Sequence, residues 1–281
     1  MSISNVRCAL WAAVAAVLLC NAAPASAQFR PRTVEPEQML GERYHIEGAA
    51  DLWFPTADLI VTSSGTGALA GLEGSKIDAK NTLGLLDKRL PQFELVLRAA
   101  RSHKFRLQHI PIKYQRDGFA LPTSVVFNGQ RYSVGVPVNS SLDWKAVRFG
   151  YEFDFINKSR GFGGFILEAK YTDVRVDLAS PFQTEFAHAR APIPALGGIG
   201  RVYVVPRVSI TGEVTGFKLP DSIDNRYAAH YVDMDIYGTV NATNNVGVKA
   251  GYRSIDLGYL IKQDTGAFTL KGLYFGIVAR Y

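Results

Sequence analysis

The chain has 281 residues and a formal net charge of +6, from 31 Lys and Arg against 25 Asp and Glu. The basic residues are scattered among acidic ones rather than clustered, which speaks against a nucleic-acid surface and leaves a mild preference for anionic surfaces such as lipopolysaccharide phosphates. Cys8 and Cys20 are the only cysteines, too few and too close to the N-terminus to staple a fold.

Met1 to Arg7 carries one positive charge, Cys8 to Leu19 is apolar, and Ala25-Ser26-Ala27 forms a small-x-small site before Gln28. This layout predicts a secretory signal peptide over 1–27. The apolar run is too short to cross a bilayer as a helix, and no other segment approaches about 18 consecutive apolar residues. Lipid attachment at Cys20 would call for a small residue before it, where Leu19 stands. Loss of Arg7 lowers the charge from +6 to +5, and both cysteines leave with the leader. Stability must then come from a core or from a closed hydrogen-bonded sheet. Phe29 to Met39, with Pro31 and Pro36, reads as a tether, and 28–42 is assigned to it.

From residue 43 onward the pattern has a period of two, in segments of about ten residues, the spacing of a membrane-barrel strand. The first strand is expected over 43–62, followed by a loop over 63–89 in which Ser75 to Leu85 adds a short ribbon. Strands two and three, 90–101 and 103–116, flank the turn Arg101-Ser102-His103. In strand two, Phe93, Leu95 and Leu97 oppose Glu94 and Arg98. Strand three departs from the rule where His109 and Pro111 stand at positions that Phe105 and Leu107 mark as lipid-facing, which implies a bulge or the membrane boundary. A long excursion follows, with the hairpin signal Asn128-Gly129 at its tip.

Strand four, 143–156, carries Val147, Phe149, Tyr151, Phe153 and Phe155 on one face, with Arg148, Gly150, Glu152 and Asp154 on the other. Strand five, 162–178, sets Phe165, Leu167, Ala169 and Tyr171 against Glu168, Lys170 and Thr172, and its alternation slips between Thr172 and Val174. A loop over 179–196 is expected from Pro181, Pro192 and Pro194. Strands six and seven, 197–205 and 208–217, are joined by Pro206-Arg207. After a loop over 218–227, strand eight covers 228–242, and the turn Thr243-Asn244-Asn245 leads to strand nine at 245–261.

Strand ten, 267–281, is the clearest. Leu273, Phe275, Ile277, Ala279 and Tyr281 share one face, with Gly272, Tyr274, Gly276, Val278 and Arg280 opposite. This ending resembles the C-terminal signal by which outer-membrane barrels are recognised by the barrel-assembly machinery, with Leu273, Phe275, Ile277 and Tyr281 as its residues. By overall pattern the chain resembles the small outer-membrane barrels of Gram-negative bacteria, in the OmpA and OmpW style. The expected fold is all-β: a closed antiparallel transmembrane barrel over 43–281, with about ten strands (eight or twelve if a pair is split or merged). Short turns lie on the periplasmic side and long loops outside. A soluble β-sandwich also alternates, but short turns at one end, long loops at the other, and aromatics such as Tyr44, Phe155 and Tyr281 near strand ends favour the barrel.

The inward face holds the acids Glu47, Asp51, Glu94, Glu152, Asp154, Glu168, Glu213, Asp233 and Asp235. Its bases are Arg98, Arg106, Arg148, Lys170, Arg201, Lys249, Arg253 and Arg280. A ten-stranded barrel is narrow inside, so these charges are expected to pair across strands as a lumen network. The network either closes the lumen or lines a narrow pore for small polar solutes. None of His45, His103, His109, His188 and His230 has a metal-ligand spacing, and the glycine-rich stretches at 161–164 and 197–198 lack a phosphate-loop lysine, so no cofactor is expected.

Two enzyme classes use such barrels. Asp233-Met234-Asp235 near His230 resembles the omptin proteases on one strand only, without the partner Asp-x-His. Lipid A deacylases and acyltransferases use a His beside a Ser, a role open to His109 if strand three bulges. The favoured function is a non-enzymatic structural or interaction barrel, or a narrow pore, in the outer membrane; the alternative is a lipid A-modifying enzyme.

Overall fold

The computed structural model describes residues 41–65, 73–219, 227–261 and 263–281. The expected signal peptide and all but the last two residues of the tether lie outside them. The described residues contain strands and no helix. In chain order these are β1 (Ile46–Thr62), β2 (Ile77–Asp78), β3 (Leu90–Ala100), β4 (His103–Ala120), β5 (Val125–Phe127), β6 (Gln130–Tyr132) and β7 (Pro137–Lys158). They continue with β8 (Gly161–Ala179), β9 (Thr184–Val205), β10 (Val208–Lys218), β11 (Tyr227–Asn241), β12 (Val246–Ile261) and β13 (Asp264–Arg280).

Ten of them, all except β2, β5 and β6, form one antiparallel wall in chain order, and β13 pairs back onto β1 to close it. The closing ladder runs unbroken from Glu47 opposite Arg280 to Thr62 opposite Thr265. A closed wall leaves no strand edge with unmet N–H and C=O groups at the depth of the hydrocarbon.

The observed strands follow the expected ones with small shifts, such as β4 running on to Ala120 and β13 starting at Asp264, and depart most at two starts. β7 begins at Pro137 rather than 143, and β9 begins at Thr184 inside the stretch expected as a loop. The prolines explain the second. Residues 184–195 pair with β8 alone, and the ladder to β10 begins only at Leu196 opposite Gly216. Pro192 and Pro194 occupy that one-sided stretch, where a missing N–H costs no ladder bond. The outer connection there shrinks to 180–183.

The wall has two storeys of opposite polarity. In the lower storey, apolar side chains face out: Leu52 and Phe54 on β1, Phe105 and Leu107 on β4, Phe165 and Leu167 on β8, Phe275 and Ile277 on β13, all exposed. The inward positions between them carry the charges. In the upper storey the pattern inverts. Leu59 and Val61 on β1, Ile110 and Ile112 on β4, Val174 and Val176 on β8, Leu257 on β12 and Phe268 on β13 point inward and are buried. Their outward neighbours include Asp58, Lys113, Asp173 and Arg175. The change of phase seen in the sequence after Thr172 is this inversion. The β8 ladder itself shows no slip there, with Thr172 opposite Ala146 and Val174 opposite Trp144. Likewise His109 and Pro111 mark the change of storey. The irregularity of β4 lies later, between Arg116 and Phe119.

Two outer connections fold inward over the upper storey. Asn128 and Gly129 have φ values of 48° and 78°, the left-handed pair that a two-residue hairpin turn requires. Instead of projecting as an exposed tip, the β5–β6 hairpin buries Val125, Phe127 and Tyr132 in the barrel's apolar core. Ile77, Leu83 and Leu85 of the first loop join the same core. The two loops are stitched together: the Ser75 N–H donates to the Val126 carbonyl at 2.8 Å, and the Asn128 N–H donates to the Ser63 carbonyl at 3.1 Å. The Tyr132 hydroxyl donates to the Leu178 carbonyl at 3.0 Å, fixing the cap to the wall.

This packing predicts that both caps resist trypsin despite Lys76, Lys80 and Arg131. Phe127→Ala should remove about 3–5 kcal/mol of packing and open the caps to cleavage while the wall stays folded. Limited proteolysis with a heat-modifiable gel shift checks both outcomes.

Candidate functional site

The lower lumen gathers most of the charges into one network, with Glu47–Arg280 and the pairs of Arg98 and Arg201 forming smaller groups beside it. Arg106 reaches Glu94 at 2.7 Å, Glu213 at 2.8 Å and Glu152 at 3.0 Å. Arg148 contacts Glu213, meets Glu168 at 2.8 Å and lies 3.5 Å from Asp233. Lys170 bridges Glu168 and Asp233, each at 2.9 Å. Arg253 donates two bonds to Asp233, at 3.0 and 2.7 Å, and others to Gln92 and Gln108 at 2.8 and 2.7 Å. Lys249 meets Asp51 at 2.9 Å and Glu94 at 3.4 Å. Arg280 pairs with Glu47 and donates to Asn241 Oδ1 at 2.7 Å. Asp235 stands apart from the ion pairs and accepts from the Tyr274 hydroxyl at 2.8 Å.

Strand register makes this contact list possible. Lys249 and Asp51 lie on one rung with Gly276 between them. A Cβ on Gly276 would run into the Asp51 carboxylate, so the bare backbone there lets the salt bridge pass over β13.

Two members escaped the sequence reading. Lys104 is 1% exposed and meets Glu152 at 2.5 Å and Asp154 at 2.9 Å. It shares the parity of Arg106, a usable signal that its place beside the turn obscured. Glu42, assigned to the tether, folds back into the periplasmic mouth. Arg201 donates to it at 2.9 Å, the Tyr203 hydroxyl at 2.9 Å, and Arg98 lies 3.4 Å away. These additions bring one charge of each sign, so the network keeps its single-acid excess.

Tyr44, expected in an outer girdle, is instead 6% exposed at this mouth, with the Arg98 guanidinium 4.7 Å from its ring centre and that of Arg280 at 5.9 Å. Its ring is amphipathic and the mouth is lined by cations, so the face of the ring is worth more there than in a headgroup layer. Phe155 and Tyr281 do face outward, as expected.

His109, His188 and His230 lie on the outward face of the wall. His230 faces outward, 3.7 Å from Asp256, whereas Asp233 and Asp235 face the lumen. His109 also faces outward, and among the described residues it makes no hydrogen bond to a serine. His188 bonds Asp173 at 2.7 Å on the outside of the upper storey. No group of three or more potential ligands that could hold a metal is found among the described residues. The upper core leaves an apolar cavity of about 20 Å³ between Val61, Leu83, Phe127 and Leu178, room for about one water molecule.

A closed ten-stranded wall, apolar outside and charged within over one storey, defines an outer-membrane β-barrel protein. The fold is similar to that of the outer membrane protease OmpT from Escherichia coli, with a TM-score of 0.54 at 8% identity over 84% of this chain and 96% of that one. At that identity the likeness is one of fold. Ail, the attachment invasion locus protein of Yersinia pestis, solved with the heparin analogue sucrose octasulfate, aligns at 10% identity over 84% of this chain and 99% of its own, with a TM-score of 0.36. The Pseudomonas putida toluene transporter TodX aligns at 9% identity over 84% and 90%, with a TM-score of 0.35. Neither of these two bears on function. No protein-family model matches the chain, and no curated protein matches it.

Asp233 receives three cations, so Asp233→Ala should cost about 3–5 kcal/mol by leaving them uncompensated. Asp233→Asn, which keeps an acceptor, should lose less, as read by urea unfolding in detergent. Burial pushes the Glu42 carboxyl up, but Arg201 and Arg98 outweigh that and hold it below the ordinary carboxylate range. A depressed acid stabilises the fold at neutral pH and loses that contribution as pH falls through its folded value. Acidification from pH 7 to 3 should therefore loosen the 41–45 segment, and Glu42→Gln should flatten that part of the pH profile. Hydrogen exchange of the segment measures this.

Proposed function

We propose that the protein is a closed, non-enzymatic barrel that presents its upper storey and caps as an interaction surface, rather than a conduit for solutes. One observation carries this reading: the lumen is occupied along its length. Ion-paired side chains fill the lower storey, an apolar core fills the upper one, and Tyr44 with Glu42 stoppers the periplasmic mouth. A conducting path would require separating several buried charge pairs, each costly to break singly. The caps contribute to the core, so their movement would expose apolar surface to water.

In planar bilayers the purified protein should insert without stepwise conductance at moderate voltage. Steps of uniform size would overturn the closed reading. Reopening by the double variant Arg106→Ala with Arg148→Ala would show that the assay detects a lumen of this width.

A further inference from the structure

The wall is closed at the depth of the hydrocarbon, but one strand edge stays open above it. β10 ends at Lys218 opposite His230 of β11, and its ladder to β9 reaches no further than Leu196. Among the described residues, no strand pairs with the other side of Thr184 to Ala195.

The prolines show which backbone groups face that side. In an antiparallel ladder, residues that exchange hydrogen bonds with the neighbour alternate with residues whose N–H and C=O point away. The ladder to β8 runs without a slip through Pro192 opposite Tyr171 and Pro194 opposite Ala169. A residue with no N–H fits such a ladder only where the backbone points away. Thr184, Phe186, His188 and Arg190 share that parity, so their N–H and C=O groups aim at the open side. Pro192 and Pro194 blunt the edge close to the belt. The stretch above them, roughly 20 Å long, keeps its donors.

The side chains leave this edge bare. Arg175 of β8 lies over the Phe186 ring, 4.4 Å from its centre, and Asp173 of β8 holds His188 at 2.7 Å, so both lean away from the open side. On the inward face, Glu185 accepts from Asn128 Nδ2 of the cap at 2.8 Å. The next three inward residues, Ala187, Ala189 and Ala191, are small, and Ala191 is exposed although Ile193 on the same face is buried. The strand is thus held by β8 and the cap, with a shallow inner surface beside its free edge.

We propose that this edge docks an extended segment of another protein, added as an antiparallel strand beside β9 with bulky apolar side chains over the three alanines. Regularly spaced N–H and C=O groups are matched by an extended backbone, and the alanines leave room on the inner face that larger apolar side chains fill. A second copy in the same membrane does not fit. Antiparallel pairing of two β9 edges would invert one barrel, and parallel pairing would incline the barrels by twice the strand tilt of about 40°. The inference rests on the interaction-surface reading and gives that surface a partner class.

The test uses the full-length protein in detergent and a short capped peptide alternating leucine and threonine, read by amide hydrogen exchange. In the free protein the Phe186, His188 and Arg190 amides should exchange fast, while those of Ala187, Ala189 and Ala191 are protected by β8. Saturating peptide should slow the first set about tenfold or more. With leucines turned inward, the threonine N–H groups face β9. Peptide N-methylated at its threonines should therefore lose binding, and peptide N-methylated at its leucines should keep it. His188→Pro removes one donor from the open edge, as Pro192 does, and should weaken binding about tenfold, the equivalent of one hydrogen bond. His188→Ala keeps the N–H and should bind like wild type. Protection of Phe186, His188 and Arg190 in the free protein would mean that the chain covers its own edge, and would overturn the proposal. So would a peptide that protects none of them, equal responses to the two methylated peptides, or the reverse preference. If His188→Pro fails the heat-modifiable gel test, the methylated peptides on wild type still decide. Conductance in the bilayer assay would count against the closed lumen and leave this edge untouched.

Discussion

The hydrogen-bonded seam between β1 and β13 is the constraint from which the rest follows. Hydrocarbon offers no partner to a backbone N–H or C=O, so a sheet survives there only as a closed ring. Closing ten strands fixes a narrow bore. The alternation of side chains then forces half of every strand's residues into that bore, whatever their chemistry. The lower lumen meets this demand with charges. Confined beyond the reach of bulk water, they must meet opposite charges, and the multiply shared carboxylates of Asp233, Glu213 and Glu152 show how little slack remains.

Above the hydrocarbon the same wall continues in water, and the solvent on its outer side changes while the geometry does not. Outward positions become polar and inward positions become apolar, so the upper storey is organised like a soluble protein with a conventional core. That core needs a cover, which the β5–β6 hairpin and the first loop supply with Phe127, Tyr132, Leu83 and Leu85. The two caps are therefore structural parts of the barrel, held by the same burial that holds its strands.

The period-two pattern, the turn at Pro206-Arg207 and the alternation from Leu273 to Tyr281 made the wall legible, because each reflects a local rule. So did the inward parity of Glu94, Arg148 or Arg253. What escaped depended on non-local facts. Pro192 and Pro194 read as loop because nothing in the sequence tells that β9 has a neighbour on only one side there. Tyr44 and Glu42 read as girdle and tether because their partners Arg98 and Arg201 lie far along the chain. The inward fold of Asn128-Gly129 escaped because a hairpin turn specifies its own bend and says nothing of where the hairpin docks.

The inversion of polarity along β8 bears on how the molecule reaches its final state. From Phe165 to Tyr171 the strand is greasy on one side, and from Val174 to Leu178 on the other. No single environment suits both halves of the extended chain, so neither the aqueous compartment nor the lipid alone can host it before assembly. Once the strand tips emerge on the far side, water drives Val174, Val176 and Leu178 together beneath the caps. Withdrawal would then require prising that cluster apart.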